Sequence, residues 1–106
     1  RGGETRETEL RVADLTLDTA TRVARRGGRR IELTNREFRL LEYLMRSAGG
    51  VGSRMMIIEK VWDYSFDPGS NIVDVYMRKL REKVDPEGET RLLRSVRGVG
   101  YGIGEP

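Results

Sequence analysis

The sequence predicts an α+β fold in which a small antiparallel sheet of short strands is followed by three helices and closed by a β-hairpin. Three observations lead there. Short apolar pieces recur between turn signals over residues 9–33. From Thr34 onward the apolar period becomes that of a helix and holds to Val84. After Asp85-Pro86-Glu87-Gly88, two extended pieces flank a glycine-bearing tip.

Each element has its own signal. Leu10 and Val12, Leu15 and Leu17, Val23, and Ile31 and Leu33 are separated by Asp18-Thr19 and Gly27-Gly28. This predicts strands joined by tight turns, with residues 21–32 a hairpin whose tip is Gly27-Gly28. Thr34 with Glu37 three residues later is a capping box, in which hydroxyl and carboxylate satisfy backbone N–H groups that a helix start leaves unpaired. The first helix is placed at about residues 35–48, with Phe38, Leu41, Leu44 or Met45, and Ala48 inward and Gly49-Gly50 as its left-handed stop. Ser53 caps a second, shorter helix from Met55 to Asp63, carrying Ile58, Val61 and Trp62 inward, before Asp67-Pro68-Gly69 forces a turn. Ser70 caps a third, from Asn71 to Val84, in which Val73, Met77, Leu80 and Val84 make one continuous apolar stripe. The tail from Leu92 to Ile103 is a hairpin around Arg97-Gly98-Val99-Gly100. Sheet, three helices and hairpin in that order describe a helix-turn-helix with a wing.

Composition narrows function by exclusion. The chain has 106 residues, one domain's worth, and contains neither cysteine nor histidine. It therefore lacks the usual zinc ligands and the side chain that titrates near neutral pH, and it is not a disulfide-stapled secreted scaffold. A hydrophobic content of 37% supports one small core and no separate catalytic domain. No apolar run approaches the ~20 residues of a membrane helix. Catalysis would have to use Glu, Asp, Lys or Tyr, and none forms a spaced pair in a recognisable catalytic context. Glu4, Glu7 and Glu9 lie at the polar start of the chain, and Glu37 serves as a cap. The expectation is a non-enzyme without cofactor or metal. Gly98, Gly100, Gly102 and Gly104 alternate, but they fit no G-x-G-x-x-G register and precede no helix, which argues against a dinucleotide site. Residues 1–8, with Gly2-Gly3, read as a linker end, and residues 9–106 as the folded domain.

Net charge is +3 with 35% charged residues of both signs, so placement matters more than the sum. On a helical wheel, Asn71, Val75, Arg78 and Glu82 lie opposite the apolar stripe of the third helix. Lys79 and Ile72 flank them on one side, and Asp74 and Arg81 on the other. Such a face offers the amide, guanidinium and ammonium groups that reach base edges and phosphates in a major groove. It also fits a solvated surface with local pairing, since Asp74 to Arg78 and Arg78 to Glu82 are both i,i+4. The hairpin adds Arg91, Arg94 and Arg97 with no acidic residue over 90–104. Ser95 and Arg97 in a strand would share a face, placing a hydroxyl and a guanidinium at the tip, suited to a phosphate and a narrow minor groove.

The run Leu33-Thr34-Asn35-Arg36-Glu37-Phe38 through Leu44, the pair Val61-Trp62, the stretch from Asn71 to Arg81, and Val96-Arg97-Gly98-Val99-Gly100-Tyr101 together resemble the OmpR/PhoB family of winged-helix response regulators. The resemblance covers all but the linker end. It implies a winged helix-turn-helix with a four-stranded antiparallel N-terminal sheet, three helices and a C-terminal wing, plus a short strand near Val51-Gly52. It also implies an upstream receiver domain, absent from this chain, that a sensor histidine kinase phosphorylates. By motif position the third helix is the recognition helix, with Asn71, Val75, Arg78, Lys79 and Arg81 nearest DNA and Ile72 and Tyr76 also matching contact positions. Trp62 matches a residue that reaches phosphate or merely packs. In the wing, Ser95 and Gly98 would touch backbone and Arg97 would enter the minor groove, while Tyr101 would use its hydroxyl on phosphate or brace the hairpin. The loop Tyr64, Ser65, Phe66, Asp67, Pro68, Gly69 matches the segment through which family activators touch RNA polymerase. The implied partners are tandem direct repeats of double-stranded DNA, bound by a homodimer, in the cytoplasm and away from any membrane. Three departures stand out. Asn71 replaces an Arg of some members, Lys79 loses a bidentate fork, and Gly102 and Gly104 weaken the last strand. The stretch from Val61 to Val75 is similar to regulators of the heavy-metal-responsive branch.

Overall fold

The computed structural model describes residues 8–62 and 71–104. The strands β1 (Glu9–Val12), β2 (Leu15–Asp18), β3 (Val23–Arg26) and β4 (Arg29–Ile31) form one antiparallel sheet in chain order. Alternation along them decides the faces. Leu10, Leu17, Ala24 and Ile31 lie side by side in register on the core face, whereas Arg11, Thr16, Arg25 and Arg30 line up on the outer one. The Gly27-Gly28 tip is a two-residue hairpin loop, and Gly27 takes the positive φ of 61° that such a turn needs. At the preceding turn the Asp18 carboxylate accepts the N–H groups of Ala20 and Thr21, a local side-chain mimic of a backbone turn.

Helix α1 (Asn35–Arg46) begins with the expected capping box: the Glu37 N–H donates to Thr34 Oγ1, and the Thr34 N–H donates to Glu37 Oε1 at 2.9 Å. It ends two residues sooner than the periodicity suggests. Ser47 is the C-cap and Ala48 is exposed, while Gly49 supplies the left-handed turn at φ 92°. Helix α2 (Arg54–Val61) is capped by Ser53, whose hydroxyl accepts the Met56 N–H. Ile57 joins Ile58, Val61 and Trp62 in the core. The second helix starts one residue sooner than expected and ends at Val61 with Trp62 as its C-cap, short of Asp63, and the cap of the third is Asn71 in place of Ser70. Asp63, Ser70 and the loop at 64–69 lie outside the described residues.

Helix α3 (Ile72–Val84) has Asn71 at its N-cap, with no side-chain capping bond, and buries Val73, Met77, Leu80 and Val84 as the stripe predicts. Strands β5 (Leu93–Val96) and β6 (Gly100–Ile103) form the wing. The core lies where α1, α2, α3, the inner face of the sheet and the buried face of the wing meet, around Leu40, Leu41, Ile57, Leu80, Leu92 and Leu93.

A short connection fixes the wing to the helices. Gly52 and Tyr101 exchange backbone hydrogen bonds of 2.8 and 2.9 Å as an isolated antiparallel bridge, so the segment expected near Val51-Gly52 pairs with β6. The glycines of β6 have a packing reason. A Cβ on Gly100 would lie 1.9 Å from the Gly52 carbonyl oxygen, and one on Gly102 would lie 2.5 Å from that of Gly50. Glycine at 102 therefore permits backbone approach, and the strand is anchored rather than weakened there.

Candidate nucleic-acid interface

The face of α3 away from the core is assembled from what the stripe leaves over. Asn71, Arg78, Lys79 and Glu82 are exposed, and Ile72, Asp74, Val75, Tyr76 and Arg81 are half-buried. Ile72 and Tyr76 lean on the core. The Tyr76 ring meets Trp62 edge-on at 5.4 Å between centroids and lies 5.0 Å from the Lys79 ammonium on its other contact, a cation–π arrangement.

The local pairing that the sequence allows along α3 is not the pairing found. Asp74 turns to other elements: its carboxylate accepts a two-pronged interaction from Arg54 at the start of α2, at 3.2 and 3.1 Å, and a hydrogen bond from the Tyr101 hydroxyl on β6. The Tyr101 hydrogen bond is the largest influence holding the Asp74 carboxyl below its ordinary range, against burial, with help from Arg54 and, least, from the charge of Arg78. Burial and that same bond push the Tyr101 phenol up. The partnership leaves Arg78 exposed and without a hydrogen bond or ion pair among the described residues.

The wing brings a second cationic group beside this face. Strand β5 ends at Val96, so Arg97 belongs to the turn rather than to the Ser95 face of a strand. Gly98 takes a positive φ of 75° there, and the Val99 N–H returns to Val96 O at 2.9 Å. Arg97 is exposed and, among the described residues, has no hydrogen bond or ion pair. Ser95 Oγ accepts from Arg81 Nη2 at 2.5 Å, which ties the wing to the second half of α3. Between the wing and the start of α2 runs an open groove of about 340 Å³, lined by Arg54, Met55, Ser95, Arg97 and Val99 among others.

Two candidates are more enclosed than their motif positions suggest. Trp62 is 7% exposed, with the Arg36 guanidinium 5.2 Å from its ring, and Arg36 also donates to the Val61 carbonyl that α2 leaves unpaired. Tyr101 is 8% exposed with its hydroxyl given to Asp74.

Sequence reasoning missed Arg54 and Arg26, because their partners are distant in the chain. Arg26, almost wholly buried, ends α3: Nη1 donates to Val84 O at 2.8 Å and to Asp85 at 2.6 Å, Nε to Asp14 at 3.1 Å, and Nη2 to Thr90 O. An arginine as the fourth inward-facing residue of a sheet hairpin, across from Leu15, was the available signal.

An apolar-striped helix with a cationic outer face, preceded by a short helix and flanked by a basic hairpin, defines a winged-helix nucleic-acid-binding domain. The family described as "Transcriptional regulatory protein, C terminal" matches residues 28–103. The chain is 44% identical over 100 residues to the transcriptional regulatory protein CusR of Escherichia coli K12, covering 94% of this chain and 44% of that protein. It is 47% identical over 96 residues to the response regulator MprA of Mycobacterium tuberculosis H37Rv, covering 91% and 42%. The chain thus spans less than half the length of these relatives. Among solved structures, the DNA-binding domain of RstA from Klebsiella pneumoniae in complex with RstA box superposes with a TM-score of 0.82 at 26% identity, covering 92% of this chain and 98% of that one. The chain belongs to the OmpR/PhoB family of response-regulator C-terminal DNA-binding domains, a family of transcriptional regulators rather than enzymes.

Proposed function

We propose that this domain binds double-stranded DNA sequence-specifically, with α3 in the major groove and the wing at the adjacent minor groove, as the effector part of a longer two-component regulator. The observation that carries it is the pair Arg78 and Arg97. They are two exposed guanidinium groups on separate elements, and neither makes a hydrogen bond or ion pair among the described residues. Asp74, which is spaced to pair with Arg78, is instead bonded to Arg54 and Tyr101. In this reading Asn71, Val75, Arg78 and Lys79 face bases and nearby phosphates, Arg81 and Ser95 act together at the backbone, and Arg97 enters the minor groove beside Gly98. Ile72 and Tyr76 contribute only their outer edges.

The wider assignment follows the family. The DNA would be a tandem direct repeat bound by a head-to-tail homodimer in the cytoplasm. A receiver domain phosphorylated by a sensor histidine kinase would control pairing, and residues 64–69 would meet RNA polymerase. Among the described residues no helix is long and apolar enough to cross a membrane.

Selection of bound duplexes from a random pool at near-physiological salt tests the proposal. Enrichment of a direct repeat with half-sites about 10–10.5 bp apart is the expected result. Binding without enrichment would instead make the domain a non-specific architectural binder, and no binding even at low salt would leave α3 as a protein-docking helix.

A further inference from the structure

We propose that Arg54 is a positioning residue for DNA recognition: by clamping Asp74 together with Tyr101, it removes a carboxylate from the DNA-facing side of α3 and keeps Arg78 available. This rests on the reading of α3 as the recognition helix and adds a residue outside that helix and outside the wing.

Asp74 is in the first turn of α3, on the flank of the outer face, between Asn71 and Arg78. A carboxylate there, left to itself, does two unfavourable things. It repels a phosphate backbone carrying one charge per ~1.7 Å of duplex, and it competes for Arg78 four residues on. Neither follows when the carboxylate is already occupied. Arg54 reaches it through Nε at 3.2 Å and Nη2 at 3.1 Å, using both carboxylate oxygens, and the Tyr101 hydroxyl donates to Oδ1. A planar fork on a planar carboxylate fixes orientation as well as charge, which an ammonium could not do.

Geometry shows what else the clamp does. Its three members come from the first residue of α2, the first turn of α3 and the middle of β6. The same Tyr101 exchanges backbone hydrogen bonds with Gly52, immediately before the Ser53 cap of α2. The start of the recognition helix, the start of its supporting helix and the wing are therefore fixed to one another around a single carboxylate. The Arg54 and Asp74 side chains remain 58% and 35% exposed. An exposed pair of this kind adds little to folding stability, so its consequence is to be sought in binding.

The test uses the duplex that the wild-type chain enriches from the random pool, titrated over a range of salt. Arg54→Gln is expected to weaken binding about tenfold and to make the salt dependence shallower by about one unit of slope, because an uncovered carboxylate opposes one phosphate contact. Asp74→Asn added to Arg54→Gln is expected to restore affinity to within about threefold and to recover the slope. Thermal melting of each variant should stay close to wild type, and if Arg54→Gln alone unfolds, Arg54→Lys, which keeps the stem but loses the fork, gives the comparison with and without Asp74→Asn. Unchanged binding by Arg54→Gln would overturn the inference. So would a double variant as weak as the single one, since Arg54 would then touch DNA directly. Failure of the wild-type chain to enrich any sequence would overturn the parent reading instead, and is seen before any variant is made.

Discussion

The two ends of α3 are held by the same chemistry in opposite environments. At the C-terminal end, Arg26 and Asp85 are 3% and 2% exposed, and their charges are embedded in further partners: Asp14, Glu89, the carbonyls of Val84 and Thr90, and the N–H groups of Leu92 and Leu93. Arg29 adds a bond to the Lys83 carbonyl, so the helix's last unpaired acceptors and its negative dipole end meet two guanidinium groups. At the N-terminal end, Arg54, Asp74 and Tyr101 make a smaller and wetter cluster. A fully desolvated charge has no substitute partner when its counterpart is removed, whereas a half-exposed one has water. The C-terminal end thus fixes α3 to the sheet, and the N-terminal end adjusts what α3 shows to a ligand.

The largest expected effect breaks the buried end. Arg26→Met would leave the Asp85 carboxylate enclosed without its cation and should cost about 3–5 kcal/mol of stability, read as a shifted denaturation midpoint. A loss below about 1 kcal/mol would mean that Asp85 is served well enough by the Leu92 and Leu93 N–H groups alone, and that the arginine is a surface-like pair. Arg78→Ala, in the exposed half, should do the reverse: it should weaken specific binding by about 1–3 kcal/mol if Arg78 reads a base, with the denaturation midpoint unmoved. Equal affinity for the selected duplex would remove Arg78 from the interface.

What the sequence makes legible follows the range of each interaction. The capping box at Thr34 and Glu37, the stripe of Val73, Met77, Leu80 and Val84, and the Gly27-Gly28 tip are settled within a few residues, and the structure has them as read. The outer face of α3 was readable for the same reason, being whatever the stripe excludes. The clamp and the buried arginine were not, because Arg54 meets Asp74 across 20 residues and Arg26 meets Asp85 across 59. Local spacing pointed Asp74 at Arg78 instead. Gly100 and Gly102 were opaque for a related reason, since what they allow is the approach of a backbone 48 to 52 residues earlier in the chain. Ala48 was misplaced because periodicity alone does not register that Ser47 had already closed the helix.

Acid should act on both ends at once. Burial pushes the Glu37 carboxyl up, but the Lys83 ammonium at 2.6 Å, the Thr34 N–H and the Thr34 hydroxyl outweigh it, and the net shift is downward. Asp74 is also held low, by Tyr101 first and Arg54 with it. A carboxyl with a depressed folded value contributes stability that is fully present above its unfolded value, near ~4 for these residues, and lost as pH falls through the folded one. Stability should therefore be level down to about pH 5 and decline below about pH 4. Lys83→Met, which removes only the Glu37 partner, should shrink that decline, and an acid limb identical to wild type would assign it to other carboxylates.

Alkali separates the two ends, and by the smallest amount. Only the N-terminal cluster contains a phenol, and Tyr101 is raised above its ordinary value by burial and then by the Asp74 carboxylate. A group whose folded value is raised contributes stability that is complete below the unfolded value, near ~10 for tyrosine, and lost as pH rises through the folded one. The phenolate that forms would also face Asp74 and break the clamp. In a spectroscopic titration of the folded chain a late phase, above the ordinary tyrosine range, is expected, and it should vanish in Tyr101→Phe. Asp74→Asn should move the phase to lower pH without abolishing its displacement, because burial remains after the charge is gone. If the late phase survives Tyr101→Phe, another phenol is the protected one, and the N-terminal end of α3 is open to water in a way the clamp does not allow.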